Sequence, residues 1–69
     1  MERQQVTSSN IASIGYDEDS LTLEIEFNNG GLYQYFDIPS QVYKELISAS
    51  SHGSYLAKNI KGYYRYSKV

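Results

Sequence analysis

A chain of 69 residues with a net charge of −2 makes one small domain, and that charge argues against a strongly basic nucleic-acid binder. With no cysteine there is neither a disulfide framework nor thiolate chemistry, and a single histidine cannot build the usual structural zinc site. No apolar run reaches the about 20 residues of a membrane span and Met1–Gln5 is no signal-peptide core, so the sequence predicts a soluble cytoplasmic protein with no cofactor and no membrane partner.

Residues 1–5 show no pattern and are expected to be disordered, the domain running from about Val6 to the end of 1–69. Ile11 to Tyr16 reads as a weak strand with Ala12, Ile14 and Tyr16 on one face. Asp17-Glu18-Asp19-Ser20 follows as a hairpin loop. Residues 21–27 alternate throughout, with Leu21, Leu23, Ile25 and Phe27 on one side and Thr22, Glu24 and Glu26 on the other, which is the period of a half-buried strand. Asn28-Asn29-Gly30-Gly31 has the residue types that accept the positive φ of tight hairpins, so Leu32 to Phe36 becomes the third strand of an antiparallel meander.

Pro39 suits the opening turn of a helix, and Asp37 just before it suits the positive end of that helix. Over residues 39–49, Val42, Tyr43, Leu46 and Ile47 form one apolar stripe. A second helix is expected over about 53–60, with Tyr55, Leu56 and Ile60 inward and Gly62 ending it. Tyr63 to Tyr66 reads equally as a fourth strand or as coil over the core. The predicted architecture is α+β: a three-stranded antiparallel meander, with a fourth C-terminal strand left open, packed by two short helices in the order β-β-β-α-α.

These residues together resemble the KTSC domain family. The resemblance is carried by Ser8-Ser9 near Ile11, Gly15-Tyr16-Asp17, the strand Leu21 to Phe27 and Gly31. It continues through Tyr33-x-Tyr35, Ile38-Pro39, Val42-Tyr43 and Ala49-x-Ser51-x-Gly53 to Ile60 and Tyr64. It covers nearly the whole chain, and its specificity lies in the ordered set. It implies a short bacterial domain, found alone or at the C-terminus of some lysyl-tRNA synthetases, with no established activity; RNA binding follows only by association. Ala57 departs from the pattern, which implies a polar residue, commonly Asn, at that place.

Tyrosine governs the functional reading, since eight phenols can pack a core or lie flat on bases. Tyr33 and Tyr35 leave the same face of their strand; exposed they form a stacking platform, buried they are core, and periodicity does not choose between the two. Lys61, Tyr64, Arg65, Tyr66 and Lys68 interleave cations with rings, the composition of a single-strand-binding surface and equally of a closing strand with solvated cations. Acids crowd residues 1–40, where Arg3 is the sole cation, whereas Lys58, Lys61, Arg65 and Lys68 follow Gly53 with no acid among them. That asymmetry fits a polyanion, and fits equally cations placed near a helix C-terminus.

His52 lies near Ser50, Ser51 and Ser54, but sequence neighbours do not make a catalytic triad, and a solvated strand face accounts for Glu24 and Glu26. The sequence thus predicts a non-enzymatic module that binds RNA, as tRNA or a single strand. The alternative is a protein partner or self-association through a tyrosine-bearing sheet face.

Overall fold

The computed structural model describes residues 1–69. Five strands form a single sheet in chain order, each antiparallel to the next: β1 Arg3–Gln5, β2 Ile11–Asp17, β3 Thr22–Phe27, β4 Leu32–Tyr35 and β5 Tyr66–Lys68. Two helices, α1 Ser40–Ser48 and α2 His52–Asn59, lie between β4 and β5 in sequence. The α+β class agrees with the sequence reading. The order is instead β-β-β-β-α-α-β, and the expected three-stranded meander gains an edge strand on each side.

β1 is the larger departure. Residues 1–5 were expected to lack order, yet Arg3, Gln4 and Gln5 pair with Gly15, Ile14 and Ser13. Glycine at position 15 permits this approach, because a Cβ there would stand 2.7 Å from Arg3 Cγ and 2.9 Å from Glu2 O. Arg3 adds an ion pair with Glu24 at 3.1 Å. The C-terminal segment left open between strand and coil divides: Tyr66–Lys68 is strand, while Tyr63 is in a turn, Tyr64 at a bend and Arg65 in irregular chain.

Register sorts the two faces of the sheet. Ile14 pairs with Ile25 and Tyr16 with Leu23; Ile25 then pairs with Tyr33 and Leu23 with Tyr35. β5 continues both rows, Tyr66 beside Tyr35 and Lys68 beside Tyr33. Paired residues share a face. All these side chains therefore point to the helix side, where Leu46 of α1, Leu56 of α2 and Ile60 close the core.

The opposite face is mostly polar, with Leu32 beside Glu26, and is internally bonded. Ser13 Oγ donates to Glu26 at 2.9 Å, and Gln34 Nε2 donates to Glu24 at 2.9 Å. The alternative of a protein partner or self-association invoked tyrosines on a second sheet face; the strand tyrosines Tyr16, Tyr33, Tyr35 and Tyr66 all share the helix side.

Two details of the strands differ from simple alternation. A register shift between Ile11 and Ser13 turns Ile11, rather than Ala12, fully inward beside Phe27. Leu21 falls outside β3 with φ 54 and 38 % exposure, so it does not extend the apolar face. Its carbonyl accepts the Ile38 N–H at 2.9 Å, tying the β2–β3 loop to the segment before α1.

α1 begins after Pro39, whose carbonyl accepts from Val42 and Tyr43, and Tyr43 stacks on Tyr16 at 4.7 Å with 7° between the rings. The Tyr16 hydroxyl donates to Ile38 O at 2.6 Å, and burial pushes its pKa up, with Glu18 and Asp17 adding to the shift. α2 opens with Ser51, whose Oγ accepts the Ser54 N–H. Tyr55 Oη donates to Glu45 at 2.7 Å, joining the helices.

Candidate functional site

Beyond the cover of the helices, the same sheet face continues as an open groove of about 850 Å³. β3 supplies Phe27 at its last position, β4 supplies Tyr33, and β5 supplies Tyr66 and Lys68. Lys61 reaches in from the turn after α2, where Gly62 takes φ +85. The β3–β4 turn forms the rim; its geometry is held by Gly30 at φ +94 and by Asn29 Oδ1 accepting the Gly31 N–H at 2.9 Å.

The rings form a connected set. Phe27 meets Tyr33 edge to face at 5.5 Å and 85°, and Tyr33 lies 6.0 Å from Tyr66. Lys61 Nζ stands 6.0 Å from the Phe27 centroid, at the outer limit of a cation–π contact. Tyr66 is 62 % exposed and Tyr35, 5.8 Å away, is 2 % exposed, so within one row of the sheet a wet ring adjoins a dry one. Burial, followed by the neighbouring Tyr33 and Tyr66, raises the Tyr35 pKa.

Five of the residues singled out from sequence therefore meet here: Lys61, Tyr66, Lys68, Tyr33 and Tyr35. Tyr35 belongs to the floor and the core, not to an exposed platform. Two do not line the groove. Tyr64 packs, partly buried, against the core, and Arg65 forms an ion pair with Asp37 at 3.2 Å. The Arg65 guanidinium also lies 5.2 Å from the Phe36 ring. Tyr66 and Lys68 belong to β5, where they share the helix-side face, whereas Tyr64 and Arg65 precede the strand and have partners of their own.

Sequence reasoning overlooked Phe27 as a site residue. The alternation of residues 21–27 placed it on the apolar face, but nothing in that pattern tells where the helices stop. The other candidates have structural partners. His52 Nδ1 lies 2.9 Å from Leu46 O, which places its proton on Nδ1 and links α2 to the last turn of α1. Glu24 and Glu26 are engaged by Arg3, Gln34 and Ser13. There is no group of three or more His, Cys, Asp or Glu residues that could hold a metal ion, and no helix is long and apolar enough to cross a membrane.

The arrangement can do two things chemically. Phe27, Tyr33 and Tyr66 offer ring surface to a flat ligand, and Lys61 and Lys68 in the same lining offer positive charge.

Known proteins share the sequence pattern and the fold of this chain. The family model of the KTSC domain matches residues 7–69. The crystal structure of a KTSC domain protein from Yersinia pestis superposes with a TM-score of 0.96 and 43 % identity, covering 99 % of this chain and 96 % of that one. An uncharacterised protein of Stutzerimonas stutzeri is 37 % identical over 70 residues, covering 100 % of this chain and 99 % of its own length. A lysine–tRNA ligase of a Nostoc species is 39 % identical over 59 residues, which is 86 % of this chain but 10 % of the ligase. The chain thus spans a tenth of that relative.

Proposed function

Starting from the fact that the chain belongs to the KTSC domain family, we propose that it is a non-enzymatic accessory module that binds single-stranded RNA or the unpaired parts of tRNA. One observation carries this reading. Residues picked from sequence for stacking and for phosphate attraction, Tyr33, Tyr66, Lys61 and Lys68, converge on one open groove although they come from three separate segments. The presence of a similar segment within a protein named for tRNA supports the choice of RNA among polyanions.

In this mechanism a base lies against Tyr66 and Tyr33, with Phe27 backing Tyr33 edge-on. Each base stacked on an aromatic side chain contributes about 1–3 kcal/mol. Lys61 and Lys68 attract the flanking phosphates, and two cations make binding modest and sensitive to salt. Arg65 has its own carboxylate partner in Asp37 and acts little.

The test is a titration of amide chemical shifts with a short single-stranded RNA and with tRNA, at low and then physiological salt. Shifts should concentrate at Phe27, Tyr33, Lys61, Tyr66 and Lys68 and fade as salt rises. Lys61→Glu with Lys68→Glu should abolish them, while Arg65→Glu should leave most of the affinity. Unchanged affinity in the folded double variant would sink the reading. A flat titration of the wild type would point to a protein partner instead.

A further inference from the structure

A second groove of about 370 Å³ lies beside the first. Its walls come from Asn10 before β2, from Asn28 and Asn29 of the β3–β4 turn, and from Gly53 and Ala57 of α2. Phe27, Asn29 and Lys61 line both grooves, which makes them one continuous track with Lys61 at the junction. Their chemistry differs. The first is walled by rings, the second by carboxamides over a floor of two residues with little or no side chain.

Hydrogen bonding separates the three carboxamides. Asn28 Nδ2 donates to Ser8 O at 3.1 Å, and Asn29 Oδ1 accepts from Gly31 N–H at 2.9 Å, so each has one end occupied. Asn10 is held by its backbone instead. Its N–H donates to Ser8 Oγ at 3.3 Å, and its carbonyl accepts from Asn28 N–H at 2.8 Å. The side chain lies against Gly53, where a Cβ would come within 3.1 Å of its Nδ2. Asn10 is thus fixed in place while its amide keeps both a donor and an acceptor for a ligand. That pair matches the adjacent donor and acceptor on the edge of an unstacked base.

We propose that the second groove is a nucleotide subsite, so that the track holds two successive nucleotides: one base stacked by Tyr33 and Tyr66, the next met edge-on by Asn10, with their linking phosphate at Lys61. This rests on the RNA reading of the first groove and adds a length requirement to it. Gly53 and Ala57 matter because larger side chains at these places would fill the space the second base occupies.

The experiment compares binding of AMP, the dinucleotide ApA and a ten-residue oligoadenylate to the full chain at low salt. The variants are Ala57→Phe, on the exposed side of α2, and Asn10→Ala, with amide spectra reporting the fold. ApA should bind about tenfold tighter than AMP, the gain of one further base contact. Ala57→Phe should erase that gain without altering AMP binding, and Asn10→Ala should weaken ApA several-fold while leaving AMP unchanged. Equal affinity of the wild type for AMP and ApA overturns the second subsite, as does wild-type ApA binding by folded Ala57→Phe. Failure of the wild type to bind the oligoadenylate at all overturns the first groove and the second together, an outcome distinct from the other two.

Discussion

One row of the sheet runs Leu23, Tyr35, Tyr66, all on the helix face, and exposure along it goes from 0 % to 2 % to 62 %. Residue type does not change from Tyr35 to Tyr66; the cover does. α1 and α2 have nine and eight residues, and a nine-residue helix is only about 13 Å long. Five strands at the usual spacing measure about 19 Å across. Two such helices bury the middle of the sheet and leave the β5 end of the same face open. In this small domain the core and the candidate site are one surface, and the reach of the helices divides them.

The strongest way to break that comparison is to cut at its covered end. Leu23→Ala or Ile25→Ala should cost about 2–5 kcal/mol, enough to unfold much of so small a domain. A cooperative melt at wild-type temperature for either variant would mean that the covered region is not the core. At the open end the pattern should reverse. Tyr66→Ala should shift stability by no more than about 0.5 kcal/mol, as for an exposed position, yet lower RNA affinity by about 1–3 kcal/mol. A large loss of stability with unchanged RNA binding would make Tyr66 an outlying core residue.

A finer probe is the salt dependence of RNA binding. Removing Lys68 alone should reduce the slope of log affinity against log salt by about 0.7, the increment for one single-strand phosphate contact. An unaltered slope would place Lys68 outside the phosphate path.

The smallest effect expected lies away from the groove, where Tyr55 clasps Glu45 across the two helices. The bond holds Glu45 below its usual 4.5, with Gln41 assisting, and pushes Tyr55 up from 10.0 to about 12. A lowered carboxylate stabilises above its unfolded pKa and loses that contribution as pH falls through the lowered value. A raised phenol stabilises below its unfolded pKa and loses the contribution as pH rises towards about 12. The stability difference between wild type and Tyr55→Phe should therefore be level between those limits and shrink on either side. A difference that grows in acid, followed by denaturant melts, would show that another interaction links the helices.

Much of the covered region was legible from sequence because burial follows period. Leu23, Ile25, Leu46 and Leu56 were all placed inward by spacing alone, and all are buried. Leu21 shares that spacing but turns into a left-handed conformation, which alternation does not reveal. Ile11 and Ala12 exchange places because a bulge adds a residue to the ladder.

β1 was not legible at all. Arg3-Gln4-Gln5 has no apolar pattern, and its order comes from backbone pairing made possible by Gly15 on the neighbouring strand. The groove was half legible. Composition pointed to Lys61, Tyr66 and Lys68, but choosing between the faces of Tyr33 and Tyr35 needed the register of β4 with β3. Phe27 reaches the groove through the extent of helix cover, and Asn10 the adjoining one through loop contacts, neither of which leaves a periodic trace.

The order of the groove's parts along the chain has a thermodynamic consequence. Ile60 is the last residue of the buried core, whereas Tyr66 and Lys68 come later, on a three-residue strand exposed throughout. Fraying of that strand breaks few bonds and uncovers no buried apolar residue of its own. Its opening free energy therefore lies well below that of global unfolding. Amide hydrogens at residues 66–68 should exchange with solvent long before those of Leu23 and Ile25. A bound strand that slows their exchange must supply that local ordering itself, so ligand binding and closure of the last strand become a single equilibrium.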